Sequence, residues 1–161
     1  MKIAKMIKSS ALIASALILG TVQAQAVSAT GTITQTVNAA LAITNVSDLV
    51  FGSAAAGDVA KIVLPGTVEN ATNGSFNVTG QSGQAYTITL PADGTITLTT
   101  GAGGANETIA VNSFVSFPAA GANGLITGGT QLLLVGATRA ALGASQVAGS
   151  YTGTYSVTVV Y

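Results

Sequence analysis

Short runs of alternating apolar and polar residues, separated by clusters of Gly, Asn, Asp, Ser and Pro, occupy the chain from residue 31 to its end. Thr, Val, Ile and Tyr dominate these runs, and period-two alternation is the pattern of strands with one buried face. The sequence therefore predicts seven to nine short strands. They are expected within residues 31–44, 49–52, 59–64, 75–80, 85–91, 94–100, 107–117, 130–142 and 151–161.

This pattern predicts an all-β fold, an antiparallel β-sandwich of the immunoglobulin-like kind, because many short strands with frequent turns typify such sandwiches. The Leu-rich start of 130–142 is compatible with a helix, but Gly128-Gly129 and Gly136 favour a strand with a bulge or kink. No repeat of fixed period is present, which argues against a solenoid.

The first 26 residues have the pattern of a secretory signal peptide. Lys2, Lys5 and Lys8 form a basic region, residues 11–20 form a short apolar core, and Ala24-Gln25-Ala26 supplies small residues for cleavage. We expect residues 1–26 to be a signal peptide, residues 27–38 an N-terminal extension, and residues 39–161 the β-sandwich domain. The apolar core is shorter than the roughly 20 residues of a transmembrane helix.

Loss of the signal peptide changes the charge of the chain. Only Lys61 and Arg139 remain as basic residues, against five acidic ones, giving a net charge of −3. Nucleic-acid binding requires clustered Lys and Arg that neutralise phosphates, so this class of partner is not expected.

The chemistry of the side chains gives no support to an enzyme. The chain contains no His and no Cys, so the usual acid–base groups, thiol nucleophiles and zinc ligands are missing. The Gly-rich run at 101–106 lacks the Lys of a phosphate-binding loop and is interpreted as a turn. We therefore expect no catalytic residue, no metal and no cofactor.

Both ends of the expected mature chain carry alternating segments. At the C-terminal end, we expect every second residue to face the core or a groove: Tyr151, Gly153, Tyr155, Val157, Val159 and Tyr161. Directly after the predicted cleavage site, every second residue is small or apolar except for one Gln: Val27, Ala29, Gly31, Ile33, Gln35 and Val37. Such a segment has the pattern of a strand that inserts beside another one.

Three motifs resemble a known group of proteins. They are D-L-V-F-G at 48–52, S-F-N-V-T-G followed by Y-T-I-T-L-P at 75–91, and G-S-Y-T-G-T-Y-S-V-T-V-V-Y at 149–161. In this order they resemble a bacterial secreted family of unknown function, and the last motif is similar to that of spore-coat-U-like proteins and archaic chaperone–usher pilins. The sequence departs from many pilins in lacking their cysteine pair.

The resemblance implies an incomplete immunoglobulin-like domain that lacks its last strand. It further implies that a periplasmic chaperone first fills the groove, that the N-terminal extension of the next subunit replaces it, and that an outer-membrane usher exports the growing fibre. Residues 27–37 are then the candidate donor strand, and the C-terminal strand is the receiving edge. The expected locations are the periplasm and then the cell surface.

Two alternatives remain open at the level of the sequence. In the first, residues 30–44 are the first strand of a complete, stand-alone secreted adhesion or coat domain. In the second, the terminal aromatic strand belongs to a small outer-membrane β-barrel, although several predicted strands are shorter than such a barrel needs.

Overall fold

The structure is a computed structural model that describes residues 25–161, and residues 1–24, with nearly all of the predicted signal peptide, lie outside this range. The described residues form an all-β, antiparallel sandwich of two sheets. Its nine strands are β1 (Ala42–Ser47), β2 (Lys61–Val63), β3 (Gly74–Thr79), β4 (Ala85–Thr89), β5 (Ile96–Thr99), β6 (Thr108–Phe117), β7 (Gly121–Leu125), β8 (Thr130–Arg139) and β9 (Thr158–Val160). Residues 25–161 contain no helix of the length and apolarity needed to cross a membrane.

The larger sheet has the order β1-β3-β8-β6-β5 and is organised around β8. The first half of β8 pairs with β3, and its last three residues pair with β2 on the same side. Gly136 stands where these two partners meet, and a Cβ there would lie 2.2 Å from the carbonyl oxygen of Val63. The absence of a side chain therefore allows the end of β2 to lie directly against β8.

The bulge or kink predicted near Gly136 is found on the neighbouring strand, β6. The β6–β8 register shifts between Asn112 and Val115, and Ser113 inside the shift has a φ of 52°. The amide of Ser113 donates to Oδ1 of Asp93 instead of to the ladder. The bulge is thus on β6, and Gly136 lies in a continuous stretch of β8.

The smaller sheet has the order β7-β4-β9, so the C-terminal strand β9 lies at an edge. Its central strand contributes Tyr86 and Ile88 to the core, which also contains Val78, Ile126 and Leu133. Tyr86 is opposite Gly124 of β7, where a Cβ would lie 2.4 Å from the Tyr86 ring. A glycine is thus required at the place where this ring packs.

Three predicted strands differ from the structure. Only 42–44 of the predicted strand 31–44 is in β1, which continues to Ser47, and residues 25–41 carry no strand. Residues 49–52 carry no strand, and of 151–161 only Thr158–Val160 forms one, with an isolated bridge at Thr152. Each of these segments has the alternating pattern but lacks a neighbouring strand to pair with. A strand is defined by hydrogen bonds to a partner, so the side-chain pattern alone does not make one.

One strand was not predicted. The Gly- and Asn-rich composition of β7 suggested a loop, since these residues favour turns. In the structure the small residues of β7 accommodate Tyr86, and the strand pairs with β4.

Candidate functional site

A partly open cleft of about 1050 Å³ lies in the compact unit that spans Thr36–Tyr161. Residues 48–56 form one wall and residues 146–155 form the other. Between them, apolar side chains of β5 and β6 form the floor: Ile96, Leu98, Ile109, Val111 and Phe114. The site is therefore a groove with an apolar base between two segments that carry no strand.

The first wall follows β1 and points two side chains inward. Leu49 and Phe51 are half-buried, whereas their neighbours Asp48 and Val50 are exposed. The amide of Val50 donates to the carbonyl of Thr72. Residues 51–54 then make no backbone hydrogen bond to another residue of the described chain. The wall thus presents unpaired backbone groups together with apolar side chains.

The second wall precedes β9 and is fixed at its middle. Thr152 exchanges two backbone hydrogen bonds with Thr99 of β5, at 2.9 and 3.0 Å. Gly153 follows, and a Cβ there would lie 2.7 Å from the carbonyl oxygen of Thr97. Beyond it, residues 153–156 make no backbone hydrogen bond within residues 25–161. This wall too leaves one stretch of its backbone without a strand partner.

Tyr151, also in the second wall, ties this wall to the turn before it. Its hydroxyl donates to the carbonyl of Val147 at 2.6 Å and accepts from Nε2 of Gln146 at 2.8 Å. The amide of Val147 donates to the carbonyl of Asn106. These bonds hold the turn that leads into the C-terminal segment.

Tyr155 is the last residue of the second wall. Its ring packs edge-on against Phe76 and at a tilt against Phe114, with centroids 5.9 and 5.4 Å apart. Burial of the phenol, followed by the charge of Asp48, raises the pKa of Tyr155 to about 12. Its buried hydroxyl has no hydrogen-bond partner among the described residues.

Arg139, the last residue of β8, is the one basic residue that lines the cleft, and it is 5% exposed. Sequence reasoning did not assign it to the site, because the first wall is more than 80 residues away in the chain and no local pattern links it to β8. Among residues 25–161 no group of three or more His, Cys, Asp or Glu side chains is placed to hold a metal ion.

The predicted C-terminal residues divide between the cleft and the core. Tyr151, Gly153 and Tyr155 line the cleft, whereas Val157 and Val159 pack against the main core. Tyr161 is 52% exposed, and its hydroxyl accepts from the amide of Gln81 and donates to the carbonyl of Ala39. The alternate residues of this segment therefore line the cleft in its first half, and Val157 and Val159 pack against the main core in its second half.

The candidate donor segment is exposed along its length. Val27 is 95% exposed, Ile33 is 100% exposed and Val37 is 82% exposed, and the intervening Ala29, Gly31 and Gln35 are exposed as well. Large apolar side chains are rarely so accessible over a contiguous segment of a soluble domain.

Comparison with protein families gives one match. The family model described as "Domain of unknown function (DUF4402)" matches residues 41–161. The chain belongs to this family. The match includes every strand of the sandwich and both walls of the cleft, and it begins after the candidate donor segment. No curated protein matches the chain. No solved structure matches it either.

Proposed function

We propose that this protein is a structural subunit of a bacterial surface fibre, and that the cleft receives a strand from a neighbouring subunit. The observation that supports this proposal is an apolar floor between two segments without strands, whose backbones are unpaired at residues 51–54 and 153–156. A small-molecule site needs convergent polar groups, whereas an added strand needs open backbone edges and alternating apolar contacts.

The occupant that fits best is the segment 27–37 of a second copy. Its inward parity is apolar or small apart from Gln35, and its large side chains Val27, Ile33 and Val37 are exposed in the described chain. Eleven residues in extended conformation reach about 36 Å, and the nine residues of the 48–56 wall reach about 30 Å. The segment is therefore long enough to span the cleft.

Insertion stabilises both partners for the same reasons that stabilise a sheet. The walls gain main-chain hydrogen bonds, and Ile33 and Val37 leave water for an apolar floor, which contributes about 1.5–3 kcal/mol for each large side chain. An open apolar edge also invites aggregation, so an exported subunit needs temporary cover. We assign this cover to a periplasmic chaperone and export through the outer membrane to an usher, following the resemblance to pilins.

The first experiment compares Ile33→Asp with Thr34→Asp in the full-length chain, expressed with its assembly partners. The two substitutions add the same charge to neighbouring positions of one exposed segment, but only Ile33 is on the inward parity. We expect Ile33→Asp to abolish SDS-resistant multimers and Thr34→Asp to leave them nearly unchanged. Electrophoresis of unheated surface extracts measures the multimers.

Deletion of residues 27–37 provides the second experiment. We expect the shortened chain to accumulate only with a chaperone or an added peptide of sequence 27–37, and not to polymerise. Normal assembly of the shortened chain would contradict the proposal and would favour a complete, stand-alone sandwich.

A further inference from the structure

The buried side chain of Arg139, which lines the cleft, has a hydrogen-bond partner at only one of its two terminal nitrogens within residues 25–161. The guanidinium of Arg139 donates through Nη2 to the carbonyl of Val59 at 2.8 Å, but Nη1 is buried and has no partner among the described residues. Arg has five N–H donors and no acceptor, and a buried charge without partners is costly. The cleft therefore holds a group that needs an acceptor from whatever fills it.

The surroundings of Arg139 do not supply this acceptor. In the ladders its partners are Val111 of β6, which is apolar, and Lys61 of β2, which adds a second positive charge. Asp58 lines a smaller pocket together with Arg139, and its carboxylate accepts from the amide of Ala55 at 2.8 Å, while Nη1 is without a partner among residues 25–161. The charge of Asp48 acts on Tyr155, whose pKa it raises.

The candidate donor segment carries one side chain that meets this need. On its inward parity the residues are Val, Ala, Gly, Ile, Gln and Val, so Gln35 is the single polar member. A Gln side-chain oxygen accepts hydrogen bonds and carries no charge of its own to desolvate. We propose that Gln35 of the incoming segment accepts a hydrogen bond from Nη1 of Arg139 and thereby sets the register of the inserted strand.

This register also fits the apolar floor. Neighbours on one face of a strand are two residues apart, about 6.6 Å. With Gln35 at Arg139, Ile33 and Val37 reach the adjacent levels, where Leu98 pairs with Ile109 on one side and Phe114 lies on the other. A slip of one residue turns the Thr face inward, and a slip of two places an apolar side chain against the guanidinium. The slip of two leaves Nη1 without an acceptor, and the slip of one offers Nη1 a Thr hydroxyl but places polar side chains on the apolar floor.

This inference rests on the proposed strand insertion, and variants of the full-length chain test it separately. We expect Gln35→Leu and Arg139→Met each to lower the yield of SDS-resistant multimers about tenfold, the usual effect of losing a hydrogen bond to a charged group. The double variant should regain most of the yield, because no unpaired polar group is left. Thr34→Leu and Lys61→Met are the matched controls and should assemble normally.

Gln35→Glu adds a second test that does not depend on how well an Arg139 variant folds alone. We expect Gln35→Glu to assemble at least as well as wild type when Arg139 is present, and to lose assembly when it is combined with Arg139→Met. Equal effects of Gln35→Glu in the two backgrounds, or losses that simply add in the Leu and Met double variant, would overturn the pairing.

Engineered disulfides separate failure of the pairing from failure of strand insertion, since the native chain has no Cys. Ile33→Cys is combined with Leu98→Cys or with Phe114→Cys, and non-reducing electrophoresis reports covalent ladders. We expect one of the two pairs to form a ladder that weakens when Arg139→Met is added. A ladder whose yield is the same with and without Arg139→Met would support strand insertion and contradict the proposed register. No ladder from either pair rejects both.

Discussion

At the scale of single residues, two side chains that line the cleft carry buried polar atoms without a hydrogen-bond partner within residues 25–161. Tyr155 Oη and Arg139 Nη1 are both buried without a partner among the described residues, and both residues line the cleft. Native proteins pair nearly all such groups, so orphaned ones concentrate where a partner is still to arrive. For Tyr155 this has a measurable consequence for stability.

We expect stability to fall between pH 10 and pH 12 because of Tyr155. Its folded pKa is raised to about 12 from the ordinary 10.0, so the folded state keeps the proton that the unfolded state releases in this window. The stability is complete below pH 10 and is lost as the pH rises through 12, by about 1–2 kcal/mol after allowance for solvent screening. Urea denaturation at several pH values measures it.

Tyr155→Phe is the matching variant. It removes a buried hydroxyl without a partner, so we expect equal or slightly greater stability at pH 7. The decline above pH 10 should become smaller without vanishing, because burial also raises the pKa of Tyr86. An unchanged decline in Tyr155→Phe would show that Tyr155 is not its source.

Gly136 is the residue on which the packing of β2 against β8 depends. A Cβ at this position would meet three backbone atoms within 2.8 Å, and backbone cannot rotate away as a side chain can. We expect Gly136→Ala to destabilise the domain by about 2–3 kcal/mol in thermal or urea denaturation. Gly143→Ala is the control, since nothing lies within 4 Å of a Cβ there and its φ is not positive. Equal effects of the two substitutions would contradict the steric account.

At the scale of elements, the connection from β2 to β3 is organised by one buried amide. Asn73 is 0% exposed, and its Nδ2 donates to the carbonyls of Pro65 and Val68 at 2.6 and 3.0 Å. Its Oδ1 accepts from the amide of Asn70 at 2.9 Å. The connection therefore has its own internal hydrogen bonds and delivers β3 to its place beside β8.

We expect Asn73→Ala to destabilise the domain by about 2–4 kcal/mol, because three hydrogen bonds disappear and two carbonyls lose a partner. Asn123→Ala removes one exposed bond to the carbonyl of Ala120 and should change stability by less than about 0.5 kcal/mol. Unfolding followed by circular dichroism compares them. Similar losses would mean that the buried amide has no special role.

At the scale of the whole molecule, the sandwich is closed on one side and open on the other. The main core lies between β3, β8 and β4, while the floor formed by β5 and β6 is flanked by the two walls. Yet Ile109 and Val111 are only 7% and 2% exposed, so the cleft already shelters its base. The unpaired backbone of the walls is thus the part that an inserted strand changes most.

Amide hydrogen exchange tests this directly. We expect residues 51–54 and 153–156 to exchange rapidly in the unassembled chain and to become protected in the fibre, because insertion supplies hydrogen-bond partners. The amides of β8 should be protected in both forms and serve as the internal reference. Identical exchange of the walls in both forms would be incompatible with strand insertion at this site.

The elements of the sandwich differ in how far the sequence predicts them. Alternation correctly predicted β3, β4, β5 and β6, because the hydrophobic pattern records the face that each turns to a core. β8 was predicted from Gly128-Gly129 and Gly136 instead, and its residues 133–137 are buried in succession. The prediction failed for β7, where glycine makes room for Tyr86 and the local composition resembles a turn. Gly136 was interpreted as a possible bulge or kink, but the bulge is on β6. A bulge is a shift in the pairing of two strands, so the sequence of one strand does not tell which of the two carries it.

The candidate site divides in the same way. The sequence by itself determined the alternation of both termini, the absence of His and Cys, and the all-β class, because these depend on residue types and local spacing. Only the tertiary structure decided that 48–56 and 146–155 face each other over β5 and β6, and that Arg139 lies between them. Such contacts join residues far apart in the chain, and their positions follow from strand order and register, which no local pattern specifies.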